Sequence, residues 1–159
     1  MFSRDTASSS TYVPSFETAA RSLKVELIIA AVHSDAEIET AITALGREPG
    51  GGLVIHPDVF MAVHRASVIV AAARNNVPAV YSYSVFAREG GLLSYRPDPV
   101  DRYRRAATYV DRILRGAKPT ELPVQLPTKY EMVLNLKAAK ALGLAVPPSI
   151  LLRTTEVIE

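Results

Sequence analysis

The residues best equipped for chemistry fall at a few places along the chain. Asp5 stands in a Ser/Thr-rich start, His56 and Asp58 flank Pro57, and His64 follows. Tyr81 and Tyr83 alternate behind a short apolar run, and Tyr95 precedes Arg96 and Asp98. A histidine beside an aspartate suggests a metal ligand or a general base. His64, however, lies more than two helical turns further on, roughly 12 Å of rise at 1.5 Å per residue. That is no known ligand spacing, and Asp58 is better placed to cap a helix starting at Val59. No serine has a G-x-S-x-G context. Gly50, Gly51 and Gly52 precede a strand without a Lys-Ser/Thr behind them, so they read as a turn and not a phosphate loop. No catalytic residue, metal or cofactor is expected. The tyrosines suit binding, because each offers a stacking face and a hydroxyl for a small polar or aromatic solute. The plainer reading is rings that cap a sheet and aspartates that cap helices.

These residues need elements to position them. Pro14 fits the first turn of a helix to Leu23, with Phe16, Ala19, Ala20 and Leu23 on one face. A buried strand is expected over 25–32. Ser34 or Asp35 caps the next helix, where Ile38, Ala41, Ile42 and Leu45 share a face. Further strands are expected over 53–55, 78–81 and 91–95, with a helix to Arg74 between the first two. A helix from Pro99 turns Val100, Tyr103, Ala107, Val110 and Leu114 inward, and Gly116 closes it. A proline-punctuated connector over 118–128 follows. Within 129–144 the period changes: Tyr130, Met132 and Leu134 alternate as in a strand, then Leu136, Ala139 and Leu142 fall at helical spacing until Gly143 stops them.

Strands alternating with helices mean an α/β fold, a doubly wound parallel sheet with helices on both faces. In such sheets ligands sit outside the carboxyl ends of the strands, which selects Asp5, Asp58, Tyr81, Tyr83 and Tyr95 as ligand-binding residues. The chain begins one strand late: only Met1 and Phe2 stand where the central first strand of the order 2-1-3-4-5 is expected. Open edges on either side of that gap favour homodimers.

Composition narrows the classes. With 48% hydrophobic and 21% charged residues, the chain resembles an ordinary globular domain. A net charge of +2 does not favour nucleic acid as a partner. The arginines at 102, 104, 105, 112 and 115 read as a solvated helix face partly paired with Asp101 and Asp111. No cysteine is present, so disulfides and thiolate chemistry are excluded. No apolar run is long enough to insert in a membrane, and the start carries no export signal, so a chain beginning at Met1 is expected in the cytoplasm.

Three segments resemble the substrate-binding proteins of ABC transporters with a type I periplasmic-binding fold. They are GGLVIHPDVFMAVHRASVIVAAARNNVPAVYSY (51–83), REGGLLSYRPDPVDRYRRAATYVDRILRGAKPTELPVQ (88–125) and PTKYEMVLNLKAAKALGLAVPPSILLRTTEVIE (127–159). The resemblance implies a second-lobe α/β domain over 1–125 and a strand–helix segment over 126–159 returning toward the hinge and first lobe. It implies capture of a small solute by lobe closure, a permease as partner and a periplasmic location. The sequence departs from the family pattern at Ser3-Arg4-Asp5, which replaces an Asn-Pro-Asp-like loop. Arg96 stands where a small residue, usually glycine, follows the Ser-Tyr pair, narrowing the cleft or adding a positive contact. The other readings are a flavodoxin-like regulatory or enzymatic domain, or an inactive remnant.

Overall fold

The computed structural model describes the backbone of residues 1–3 and 9–159, and the side chains of residue 1 and residues 12–159. Asp5 and its loop lie outside the described residues. In chain order the elements are β1 (Phe2–Ser3), α1 (Ser9–Leu23), β2 (Ala31–Val32), α2 (Asp35–Gly46), β3 (Leu53–Ile55), α3 (Val59–Val63), α4 (Arg65–Arg74), β4 (Ala79–Tyr81), α5 (Ser84–Arg88), β5 (Leu93–Pro97), α6 (Pro99–Leu114), a 3-10 turn (Pro119–Glu121), β6 (Tyr130–Asn135), α7 (Leu136–Ala141), α8 (Pro148–Leu151) and β7 (Glu156–Ile158).

The main sheet has five strands in the order β3-β4-β5-β6-β7, and β1 pairs with β2 beside it. Met1 joins the two: its nitrogen donates to the Val54 carbonyl at 2.7 Å, and its carbonyl accepts from His56 N at 3.1 Å. The order β2-β1-β3-β4-β5 therefore holds, with a first strand of two residues. All strand pairs are parallel except β5–β6, which is antiparallel.

A first strand this short explains one correction. The strand expected over 25–32 exists only at Ala31–Val32, because β1 offers just two residues to pair with. Upstream, Val25, Ile28 and Ile29 are exposed instead of buried. The helix expected to run to Arg74 is interrupted at His64, whose ψ of 18° breaks the helical path between α3 and α4. The fourth strand starts two residues later than expected, at Leu93. The last strand, β7, was not foreseen: it pairs in parallel with β6, and Arg88 of α5 reaches Glu156 at 2.6 Å.

The core lies between the sheet and the α2/α4 pair, where Ile38, Ile42, Ile55, Met61, Val68 and Phe86 are closed to solvent. Ser34 caps α2, its hydroxyl accepting from Glu37 N at 3.3 Å. His56, just past β3, is only 3% exposed and meets the Tyr12 ring edge-on at 4.3 Å. Burial holds its imidazole below the ordinary pKa of 6.5.

The helix α6 departs most from expectation. Its apolar stripe faces solvent: Val100, Tyr103 and Val110 are exposed and Leu114 is 82% exposed. The side turned to the protein carries Asp101, Arg105 and Tyr109 against the connector, with the Tyr109 hydroxyl donating to Pro123 O and Arg105 Nη1 to Leu126 O at 3.3 Å. The cause is topological. β5 and β6 run antiparallel, so α6 and its connector form an arm beyond the sheet's end, and no strand of the sheet packs extensively on it.

Three outcomes follow from this packing. A Cβ at Gly91 would stand 2.5 Å from the Tyr81 ring and 2.8 Å from Phe86 O. Gly91→Ala is therefore expected to cost about 1–3 kcal/mol in denaturant unfolding, as overpacking does. Leu114→Ala should change stability by no more than about 0.5 kcal/mol, the surface value. A loss of about 2–5 kcal/mol would place that stripe against a core after all. The third concerns pH. His56 is disfavoured as a cation in the fold, so the unfolded chain takes up its proton first. Stability should be full above pH 6.5 and fall as pH drops below it, until the folded imidazole is itself protonated. Thermal melts from pH 8 to pH 5 should show the decline, and His56→Gln should flatten it.

Candidate functional site

At the carboxyl edge of the sheet, β3 ends at His56–Pro57–Asp58, β4 at Ser82–Tyr83 and β5 at Arg96–Pro97–Asp98, while β6 enters there with Tyr130 and Glu131. Parallel register sets the levels: Tyr81 pairs with Ser94 and Ile55 with Tyr81. Tyr83 and Arg96 therefore stand at the same height, two residues past the Tyr81–Ser94 pair.

Asp58 and Asp98 act as helix caps. Asp58 Oδ1 accepts from Phe60 N at 2.7 Å and Met61 N at 3.4 Å, and Asp98 Oδ1 from Val100 N at 2.8 Å and Asp101 N at 3.2 Å. Both carboxylates thus satisfy the orphan N–H groups of a helix start. Ser82 Oγ donates to Ile55 O at 2.7 Å and ties the β4 loop to β3.

The tyrosines divide by strand face. Tyr81 points inward, only 2% exposed and stacked on Phe86 at 4.8 Å, and burial pushes its hydroxyl pKa up. Of the tyrosines expected to meet a ligand at this edge, it is the one that packs into the core. Tyr83 is half-buried, with the Arg96 guanidinium carbon 6.0 Å from its ring centroid. Tyr95 lies on the opposite face and stacks on Tyr130, centroids 5.2 Å apart and planes 8° from parallel.

Arg96 and Glu131 were brought together by a register that periodicity could not supply. They are direct cross-strand partners, Nε to Oε1 at 2.7 Å, and each is 22% exposed. Tyr130 and Glu131 at the start of β6 repeat the aromatic-then-charged order of Tyr95 and Arg96 near the end of β5. His64 is not near His56 chemically: its Nδ1 lies 2.8 Å from Asp35 Oδ1, bridging the break after α3 to the start of α2.

Two recesses lie outside the Tyr83–Arg96–Glu131 cluster, the larger one reaching the edge at Asp98 and Lys129. One of about 120 Å³ is apolar, between α4, β4 and α7, too small for most solutes. The other, about 550 Å³, is the groove between α6 and its connector, lined by Tyr109, Val110, Ile113, Leu122, Val124 and Leu126 among others.

Comparison with known proteins places this geometry in context. The sequence matches the family model for ABC transporter substrate binding proteins over residues 1–158. No curated relative matches it. Among solved structures, a conserved domain protein from Vibrio cholerae is similar at 24% identity and a TM-score of 0.82, covering 98% of this chain and 52% of that one. An ABC domain in complex with L-Trp from Streptococcus pneumonia is similar at 26% identity and a TM-score of 0.81, covering 99% of this chain and 54% of that one. A ligand-free, open substrate-binding protein with adhesive properties from Clostridium difficile shares the fold at 18% identity and a TM-score of 0.76, with 99% and 52% covered. The chain thus spans about half the length of the solved proteins it resembles. With a family match over nearly every residue and a mostly parallel α/β sheet of the periplasmic-binding type, the chain belongs to the ABC transporter substrate-binding protein family.

Proposed function

We propose that this chain forms one wall of a solute-binding cleft, its carboxyl edge receiving a small molecule that a companion α/β half encloses. The family match over residues 1–158 carries the reading. Support comes from the edge itself, where Tyr83, Arg96 and Glu131 form a partly open polar and aromatic surface, with the stacked Tyr95 and Tyr130 on the other face of the same strands. The solute class is amino-acid-like, by analogy with the L-Trp held by the Streptococcus protein. Capture and delivery to a permease require no bond chemistry, and the carboxylates Asp58 and Asp98 are engaged as caps, not poised as an acid–base pair. Such a protein works outside the inner membrane. No described helix is long and apolar enough to cross one.

The same reading gives α6 an occupant. An apolar stripe of Val100, Tyr103, Val110 and Leu114 in open water is a surface meant to be covered. The matched structures contain nearly as much chain again as aligns here. The companion half lies against this arm, leaving the carboxyl edge as the cleft between the two.

A single wall buries only part of a ligand's surface, so affinity should be low. Calorimetry with amino acids, small aromatic acids and sugars is expected to give a Kd of about 1 mM or weaker, some 4 kcal/mol of binding at most. A micromolar Kd for the monomer would mean that the site is complete without a companion. Silence across the whole panel at high concentration would remove the solute-binding reading.

A further inference from the structure

We propose that the Arg96–Glu131 pair is the head-group clamp of the cleft, selecting solutes that carry an ammonium and a carboxylate on the same carbon. The proposal rests on the solute-binding reading above and adds to it the residues and the charge pattern of the ligand.

Position comes first. Arg96 stands at the carboxyl edge, level with Tyr83, where ligands of open α/β sheets are held. The pair is not sealed into the core, since both side chains keep 22% of their surface open. Its joined atoms, Nε and Oε1, are shut away from solvent and approach to 2.7 Å without the alignment of a hydrogen bond. The exposure therefore lies elsewhere on the two side chains. Among the described residues the terminal nitrogens of Arg96 and the second oxygen of Glu131 have no hydrogen-bond partner. Two donors and one acceptor thus stand a few ångströms apart beside an aromatic face.

The charge pattern then selects the ligand. A lone arginine at this edge would draw any anion, and a lone glutamate any cation. Held together, they cancel each other's field at a distance, so a singly charged solute gains little from approaching. A zwitterion meets both: its carboxylate takes the paired guanidinium N–H groups and its ammonium takes the free carboxylate oxygen. Rejection of single charges arises from the unmatched partner left behind, which is how polar sites discriminate. The Tyr83 ring, 6.0 Å from the guanidinium carbon, gives an apolar or aromatic side chain a surface to lie on beside the pair.

As a purely structural feature the pair is poorly explained. A single cross-strand charge pair contributes little, and partial burial cancels much of its attraction.

The experiment follows side-chain and backbone NMR resonances of the labelled chain during titration with L-tryptophan, indole-3-propionate and tryptamine, the last two lacking the ammonium and the carboxylate. L-Phenylalanine and L-leucine with their deaminated acids extend the series. The expected result is movement of the Arg96 Nε–H signal and the Glu131 carboxyl signal with the amino acids. The single-charge analogues should bind at least tenfold more weakly. Arg96→Ala and Glu131→Gln should each bring amino-acid affinity down to the analogue level. Because either change could loosen the strand pair, the double variant Arg96→Glu with Glu131→Arg supplies the control: it keeps the pair and reverses its polarity. If the pair only braces the sheet, the swapped protein binds like the original and the proposal falls. It also falls if amino acids shift Tyr83 and Tyr95 while Arg96 and Glu131 stay still, and in that case solute binding survives. If no solute of any class moves any resonance at the edge, the solute-binding reading fails and takes the clamp with it.

Discussion

The antiparallel ladder between β5 and β6 is the constraint on which the rest of the edge depends. Five cross-strand pairs, from Leu93–Leu134 to Pro97–Tyr130, fix its register. Each strand alternates faces, so one register decides two things together. It sets Arg96 against Glu131 on the α5 side, and Tyr95 beside Tyr130 on the other. A slip of one residue in β6 would turn Tyr130 and Glu131 to the wrong faces and break both pairings. The ladder also makes the arm, because two antiparallel neighbours must be joined beyond the sheet's end, and α6 with its connector is that join.

Asn135 locks the ladder at its inner end. Its backbone N–H donates to Leu92 O at 2.9 Å, its amide donates to Ala87 O at 3.0 Å, and its Oδ1 accepts from Ala138 N at 3.0 Å. One residue thus finishes a strand, ties α5 to the sheet and caps α7. This is why β6 runs into α7 without a loop. Gly143, at φ 67°, ends that helix with Leu144 N bonded back to Ala139 O, the left-handed cap that glycine adopts without strain. Pro147 and Pro148 then do less to end structure than to restart it, since Pro148 opens the single turn of α8.

Much of this was legible in the sequence, and the failures share a cause. The change of period at Leu136, the face of α2, the β3 and β4 segments and the Gly143 stop are local signals, written in neighbouring residues. What stayed hidden depended on pairing across distance. Tyr81 and Tyr83, two residues apart, share a face, and only the packing of Phe86 from α5 buries the first and leaves the second half-open. The α6 stripe has the spacing of a core helix, and periodicity tells that a face is apolar but not what covers it. The three residues of β7 carry no turn signal and become a strand only because β6 offers a free edge.

The electrostatics of the edge separate stability from recognition. At 2.7 Å and an effective dielectric of about 20, the Arg96–Glu131 attraction is roughly 6 kcal/mol gross. Withdrawing two ions from most of their water costs a similar amount, so little net stability remains. The fold does not need the pair: its core is closed by Ile38, Ile42, Ile55, Val68 and Phe86, and its helices are capped by Ser34, Asp58, Asp98 and Asn135. What the pair provides is direction. It holds two opposite charges in fixed geometry at the level of the cleft, on strands too short and too well registered to shift. A binding surface gains more from that rigidity than from the strength of the pair, because groups already ordered lose less freedom when a ligand arrives.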